Sequence, residues 1–166
     1  MSDLRVHKTK YINETKRVSF KYDGKNYFGY EGDTLASALL ANGVHLIGRS
    51  FKYHRPRGIM SCGSEEPNAI CQISDKNDLT EPNVRATELE IYDGLEAFSQ
   101  NCWPNVKFDI GGINNLISPL IPAGFYYKTF MWPKSFWKKV YEPLIRMSAG
   151  LGKSPTEPDP DIYDHK

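Results

Sequence analysis

The residues that decide the fold lie between positions 18 and 30, where the sequence reads VSFKYDGKNYFGY. From Val18 to Tyr22, apolar and polar side chains alternate with the period of two that is typical of a half-buried strand. Asp23 and Gly24 follow, and this pair tolerates the positive φ angles that a tight hairpin turn requires. The extended pattern resumes at Tyr27, so the sequence predicts a β-hairpin.

A helix is predicted directly after the hairpin. Asp33 or Thr34 can cap its first turn with a side-chain oxygen, and Gly43 permits a left-handed exit after Asn42. The apolar side chains at helical spacing are Leu35, Ala36, Leu39 and Leu40. Because a hairpin followed by a helix opens the β-grasp fold, we expect an α+β domain of that type.

Loop and strand patterns beyond the helix complete this domain. Residues 48–67 are rich in glycine, proline and polar side chains, which indicates a long loop. Two extended stretches, residues 69–73 and 84–92, flank a polar, turn-like segment. We expect them to complete a small mixed sheet that packs the helix on one face. The domain is predicted to end near Trp103.

The composition changes after position 103. Glycine and proline punctuate residues 104–124, and aromatic side chains crowd the residues from Phe125 onward. Pro133 can open a helix, which Pro143 should kink because proline lacks a backbone donor. The predicted apolar stripe of this helix consists of Phe136, Trp137, Val140, Tyr141, Leu144 and Ile145.

These patterns divide the chain into four parts. They are an N-terminal arm (residues 1–15), a ferredoxin-like β-grasp domain (residues 16–103), an irregular aromatic-rich extension with a helix (residues 104–152), and a linker (residues 153–166). The extension is expected to pack on a partner domain, because so many aromatic side chains require burial. The linker is rich in proline and acidic residues.

Composition excludes several classes of function. The chain has 166 residues, of which 21 are basic and 20 acidic, and this balance disfavours nucleic acid as a partner. No apolar run approaches the roughly 20 residues that span a bilayer, and the first residues do not resemble a secretion signal. Three cysteines give no disulfide framework. We therefore expect a cytoplasmic protein without membrane association.

The cysteines are the first candidates for chemistry. Plant-type two-iron clusters take four thiolates from a C-x4-C-x2-C run and one distant cysteine. Counting from Cys62, the required positions hold Pro67 and Ile70, and Cys71 and Cys102 are the only other thiols. We therefore predict a ferredoxin-like domain without a cluster and no metal site. Cys71 lies in an apolar stretch, which predicts a buried thiol.

Residues 49–58 are the second candidate, because four fixed cations and one histidine alternate there with aromatic side chains. Such a segment can bind a phosphate or another anionic group of a cofactor. The candidate cofactor-binding residues are Arg49, Lys52, His54, Arg55 and Arg57. Alternatively, the arginines clamp backbone carbonyls or pair with Glu65 and Glu66 to hold the long loop. The near-zero net charge favours this structural interpretation.

The sequence contains no recognisable self-sufficient active site. His54 has no second histidine or cysteine at ligand spacing, and a hydrogen-bonded or solvated histidine is expected. Ser61 and Ser64 lack the context of a nucleophile elbow. No G-x-G-x-x-G fingerprint occurs. We therefore assign no catalytic residue.

Five segments carry a family resemblance: GRSFKYHRPRG at 48–58, SEEPNA at 64–69, PNVRAT at 82–87, YDG at 92–94 and SQN at 99–101. In this order they resemble the amino-terminal region of the alpha subunit of heterotetrameric sarcosine oxidases. The resemblance continues through residues 119–131 and the predicted helix. It therefore covers nearly the whole chain.

The resemblance implies part of an enzyme that oxidatively demethylates sarcosine to glycine. The other products would be hydrogen peroxide and either 5,10-methylenetetrahydrofolate or formaldehyde. It implies FAD, FMN and NAD in the assembly, and as partners the remainder of the alpha subunit and the beta, gamma and delta subunits. Family alpha subunits are several times longer and continue into a dinucleotide-binding domain. This segment is therefore expected to bind no cofactor itself and to have a structural and interaction role.

Two other hypotheses stay open. Related subunits of hydrogen cyanide synthase, opine oxidases and some proline dehydrogenases resemble this chain and carry a two-iron cluster in the comparable loop. The alternative function is therefore a ferredoxin-like electron-transfer subunit of a related amine, opine or proline dehydrogenase. A nucleic-acid-binding role for residues 49–57 ranks last, because it requires a salt-dependent basic surface that the balanced charge does not favour.

Overall fold

A five-stranded mixed sheet and one helix form the centre of the molecule. The computed structural model describes residues 4–5, 9–74, 80–120, 124 and 132–148. Their strands and α-helices are β1 (Asn13–Tyr22), β2 (Lys25–Glu31), α1 (Leu35–Ala41), β3 (Gly48–Arg49), β4 (Pro56–Arg57), β5 (Ile70–Ser74), β6 (Thr80–Arg85), β7 (Leu95–Ser99) and α2 (Glu142–Ser148). The sheet order is β2-β1-β7-β5-β6, and β3 pairs with β4. The predicted α+β fold with a mixed sheet is confirmed.

The predicted hairpin is confirmed in register and turn. β1 and β2 are antiparallel, and Tyr22 lies opposite Lys25. Asp23 and Gly24 connect them with φ angles of 47° and 73°, as the Asp-Gly turn requires. Along β1, alternate side chains from Val18 onward are buried. The period-two pattern therefore predicted which face of β1 packs on the core.

The predicted helix α1 is also confirmed. Thr34 is its N-cap, and the Thr34 hydroxyl accepts a hydrogen bond from the Ser37 amide at 3.2 Å. Gly43 follows the helix with a φ of 75°. Asp33 has a different role, because its buried carboxylate accepts hydrogen bonds from the Tyr30 amide at 2.9 Å and the Arg5 guanidinium at 2.9 Å. Asp33 thereby attaches the N-terminal arm to the start of the helix.

The second half of the sheet differs from the prediction. β5 lies where it was expected, but the expected strand over residues 84–92 ends at Arg85. Beyond it the chain leaves the sheet, because Ala86 and Leu89 accept hydrogen bonds from the first two amides of α1, both at 2.8 Å. The missing strand is β7, which is parallel to β1 and antiparallel to β5. β7 therefore occupies the centre of the sheet.

One apolar core lies between α1 and the sheet. Its members include Leu35, Leu39 and Leu95, which are completely buried. Cys71 belongs to the same cluster, so the predicted burial of this thiol is confirmed. Burial, together with the negative charge of Asp23, raises the pKa of the Cys71 thiol to about 12. Cys71 is therefore a neutral packing residue.

The described residues of the extension form short helical segments. Ile110–Asn115 and Ser118–Leu120 are 3-10 helices. Pro133 precedes a further 3-10 turn, which continues as a π-helical turn (Trp137–Tyr141) into α2. The π-helical turn directly precedes α2, and Pro143 lies in the first turn of α2, where the missing amide donor of a proline is tolerated. The predicted aromatic residues 125–131 and the predicted linker lie outside the described residues.

Candidate functional site

Residues 49–58 fold into a compact turn at the end of the β3–β4 ladder. Ser50 and Arg55 are joined by a backbone hydrogen bond of 2.9 Å, and the His54 amide donates to the Ser50 carbonyl at 2.9 Å. His54 has a positive φ of 51°, which is uncommon for a residue with a side chain. The predicted long loop therefore contains a short, ordered hairpin.

Arg49 uses its guanidinium to hold three backbone carbonyls. Its Nε donates to the Val106 carbonyl at 2.8 Å, and its two terminal nitrogens donate to Lys107 at 3.0 Å and His54 at 3.2 Å. In return, the Asn101 side-chain amide donates to the Arg49 carbonyl at 2.9 Å. The interpretation of Arg49 as a clamp on backbone carbonyls is therefore confirmed.

A side-chain contact between His54 and Asp109 also joins residues 49–58 to the start of the extension. His54 Nδ1 lies 2.6 Å from Asp109 Oδ2, and the two side chains are 12% and 1% exposed. The other carboxylate oxygen of Asp109 accepts hydrogen bonds from the amides of Trp103 at 3.0 Å and Gly111 at 3.1 Å. Asp109 therefore caps the 3-10 helix and holds His54 at the same time.

The close approach of this helix to His54 requires a glycine at position 111. A Cβ atom added to Gly111 would lie 2.3 Å from the His54 ring, whereas one added to Gly112 would meet nothing within 4 Å. The first contact is far inside van der Waals distance, so any side chain at position 111 would displace the imidazole. Glycine is therefore required at position 111 but not at position 112.

The other cations of residues 49–58 have different surroundings from Arg49 and His54. Lys52 and Arg55 both lie 4.7 Å from the centre of the Tyr53 ring, on which they form cation–π contacts. Arg55 Nε also donates to the Asn115 side-chain oxygen at 3.0 Å. Arg57 lies on the exposed strand β4. The five predicted candidates therefore do not converge on one anion.

Arg49 and Arg57 do share the wall of an open cleft of about 390 Å³. The remaining lining residues are mostly amides and small side chains: Gly48, Ser50, Phe51, Pro67, Asn68, Ile70, Asn83, Gln100 and Asn101. Since Arg49 already donates to carbonyls outside the cleft, Arg57 is the cation that this cleft presents to solvent. Contact between Arg57 and an anion in this cleft therefore stays a prediction.

Glu66 does not pair with an arginine, so that part of the structural interpretation is wrong. Its carboxylate is buried and accepts hydrogen bonds from four backbone amides of its own loop: Met60 at 2.7 Å, Ser61 at 2.6 Å, Asn68 at 2.7 Å and Ala69 at 3.2 Å. Burial alone would raise the pKa of Glu66, but these amides outweigh it and hold the pKa below its usual value.

Sequence reasoning missed Asp109, Gly111 and the role of Glu66. Asp109 stands directly before a helical turn, where an aspartate is a capping signal, but nothing in the sequence connects it with His54. The loop that Glu66 holds includes Met60, whose amide donates to the carboxylate, and the exposed Cys62.

No group of three potential ligands for a metal ion occurs in the part of the chain that the structure describes.

Residues 15–102 match a family described as the 2Fe-2S iron-sulfur cluster binding domain. The chain belongs to this family. Its fold also agrees, because the matched residues include the whole mixed sheet from β2 to β7, nearly all of β1, and α1.

Among curated proteins, the chain is similar to sarcosine oxidase subunit alpha. It is 57% identical over 164 residues to that subunit of Rhizobium meliloti (strain 1021), covering 99% of this chain and 16% of the relative. Two subunits from Corynebacterium sp., strains U-96 and P-1, are 41% and 43% identical over 88 residues, or 52% of this chain and 9% of each relative. The chain thus spans less than a fifth of the length of these relatives.

Among solved structures, the chain is similar to L-proline dehydrogenase from P. horikoshii. The TM-score is 0.42 at 23% sequence identity, and the match covers 57% of this chain and 17% of the other.

The residues of this chain do not fit the two-iron cluster that the family name describes. A plant-type two-iron cluster takes four thiolates, and the whole chain has three cysteines. Of these, Cys71 is buried in the apolar core and Cys62 is exposed.

In the described part of the chain, no helix has the length and apolar character needed to cross a membrane.

Proposed function

We propose that this chain forms the amino-terminal domain of the alpha subunit of a sarcosine oxidase, with a structural and interaction role. The observation that carries this proposal is the 57% identity to sarcosine oxidase subunit alpha over 164 residues. The complete enzyme would demethylate sarcosine to glycine and form hydrogen peroxide with 5,10-methylenetetrahydrofolate or formaldehyde. Other parts of the assembly would bind FAD, FMN and NAD. We assign the domain to the β-grasp class, and its three free cysteines suit the cytoplasm.

The contacts of residues 49–58 support a docking role over a cofactor site. Arg49, His54 and Arg55 each bind a residue between positions 106 and 115, so their polar groups hold this first part of the extension on the sheet domain. Lys52 and Arg57 remain candidates for contact with an anionic group that another part of the assembly presents. This geometry favours a structural function for residues 49–58, in which they hold the start of the extension against the sheet domain.

The extension itself supports an interaction role. Many of its large apolar side chains are exposed, including Phe108, Ile110, Ile113, Leu116, Trp132 and Leu144. Exposed apolar surface of this extent is typical of residues that another protein surface covers. We propose that the remainder of the alpha subunit, or the beta, gamma or delta subunit, covers it.

Purification of the complete assembly through a tag on this chain tests the proposal. We expect the preparation to contain flavin and to produce hydrogen peroxide when sarcosine is added. Leu144→Asp should lower the amount of partner subunits that co-purify, because it places a charge on the apolar side of α2. Lys138→Asp introduces the same side chain at a charged position of the preceding π-helical turn and serves as the control. An assembly without sarcosine-dependent peroxide would overturn the proposal.

The family match also supports an electron-transfer alternative, since the family is named for a redox cluster. The shortage of thiolates argues against it. Iron analysis and the visible spectrum of the purified protein distinguish the two. A protein with stoichiometric iron and absorption bands of a two-iron cluster would favour the alternative, whereas a colourless domain would favour the structural role.

A further inference from the structure

The plant-type ligand spacing has a second possible register in this loop, one residue before Cys62. A C-x4-C-x2-C run that is counted from Ser61, one residue before Cys62, places Glu66 and Ala69 at its second and third positions. In this register the middle position holds the buried carboxylate that organises the whole loop. The register that starts at Cys62 places an exposed proline at the middle position instead.

The hydrogen bonds of Glu66 reach both of the other positions in that register. Its Oε2 accepts from the Ser61 amide at 2.6 Å, and its Oε1 accepts from the Ala69 amide at 3.2 Å. The amides of Met60 and Asn68 converge on the same carboxylate. Successive amides that converge in this way form a concave anion site, a feature found at many iron–sulfur centres. Here the anion is a side chain of the loop itself.

Thr87 is a distant residue that contacts the same loop. It is buried, and its hydroxyl donates to the Gly63 carbonyl at 2.9 Å, inside the same loop. The neighbouring Ala86 amide donates to the Ala69 carbonyl at 2.8 Å, which holds Thr87 next to the third position. The segment after β6 is therefore hydrogen-bonded to this loop at both Gly63 and Ala69.

We propose that Ser61, Glu66, Ala69 and Thr87 occupy the four ligand positions of a two-iron site, and that the Glu66 carboxylate replaces the cluster as the anion that holds the loop. A carboxylate buried without a counter-ion is costly unless its oxygens are hydrogen-bonded, and the four amides meet this need. The loop thus keeps the amides that face an anion although none of the four positions holds a thiolate. This inference concerns the domain alone and does not depend on sarcosine as the substrate.

A cysteine graft tests the register. The variant Ser61→Cys, Glu66→Cys, Ala69→Cys and Thr87→Cys, incubated anaerobically with ferrous iron and sulfide, should gain the visible absorption and iron and sulfide content of a [2Fe–2S] cluster. The control adds Pro67→Cys, Ile70→Cys and Thr87→Cys to the native Cys62, and should gain none. A folded graft that stays colourless, or a control that binds equally well, would overturn the proposal.

Amide hydrogen exchange of the full chain decides the question even if the graft does not fold. With Glu66→Gln, the amides of Met60, Asn68 and Ala69 should exchange at least tenfold faster, because the charged acceptor is lost. Glu65→Gln changes an exposed carboxylate in the same loop and should leave these three amides as they are. Unchanged exchange in Glu66→Gln would show that the carboxylate does not hold the loop.

Discussion

Leucines on the sheet domain and leucines on the extension have opposite surroundings. Leu39 and Leu95 are fully buried between α1 and the sheet, whereas Leu116 and Leu144 are 80% and 49% exposed. The first region satisfies its apolar side chains within itself and can be understood as a folding unit. The second leaves them in solvent, although its residues Val106 and Asp109 are bound by Arg49 and His54. The difference places the buried core in the sheet domain, and it supports the proposal that the extension provides a contact surface.

The largest expected effect distinguishes two adjacent leucines on α1. Leu39→Ala removes a fully buried side chain and should lower the free energy of unfolding by about 2–5 kcal/mol. Leu40→Ala makes the same change in helix propensity at a side chain that is 37% exposed, and should cost less than about 1 kcal/mol. Urea denaturation measures both. Equal losses would contradict the description of the sheet domain as the region with the core.

Glu66→Gln tests whether the sheet domain also satisfies its buried charge. At neutral pH the substitution should cost about 1.5–3 kcal/mol, because an amide group cannot accept from all four backbone donors. The folded-state pKa of Glu66 is lowered, so its contribution is present above the unfolded value of about 4.3 and is lost as pH falls through the folded value.

The measurement is urea denaturation of both proteins at several pH values. The difference in stability between the native protein and Glu66→Gln should narrow on acidification. Glu65 is exposed, and Glu65→Gln should have the smaller effect throughout. A difference that is independent of pH would mean that the charge of Glu66 is not what stabilises the loop.

Gly111→Ala tests the attachment between the two regions. The added methyl group would overlap the His54 ring, so the imidazole should leave Asp109 at a cost of about 1–3 kcal/mol in local stability. Gly112→Ala meets no atom within 4 Å and should be neutral or slightly stabilising. Limited proteolysis between residues 103 and 115 reports the difference. Equal cleavage of the two variants would show that the His54–Asp109 contact does not secure the extension.

The sequence predicted the features that depend on neighbouring residues. The alternation after Val18, the Asp23-Gly24 turn and the spacing of leucines in α1 are local patterns, and each specifies its structure within a few residues. β7 was missed because its five residues are a weak signal and its parallel partner β1 lies more than 70 residues away. The expected strand beyond Arg85 failed because bonds to α1 took precedence over strand propensity.

The sequence drew attention to residues 49–58 but did not predict the residues that they contact. Residues 49–58 were identified by composition, and Arg49 clamps carbonyls as one interpretation required. The partner Asp109 lies 55 positions from His54, and no local pattern connects the two. The sequence does not reveal that Glu66 is the buried residue of its loop, because burial of a glutamate depends on backbone amides that only the folded loop brings together.

The smallest expected effect on stability completes the comparison. Leu116→Ala removes a side chain that is 80% exposed, so the free energy of unfolding should change by less than about 0.5 kcal/mol. Binding of an apolar dye such as ANS to the isolated chain should nevertheless decrease, because the substitution shrinks the exposed apolar surface of the extension. A loss above about 1 kcal/mol would mean that Leu116 packs within the chain. The extension would then be part of the core, and its apolar side chains could no longer be taken as a contact surface for another subunit.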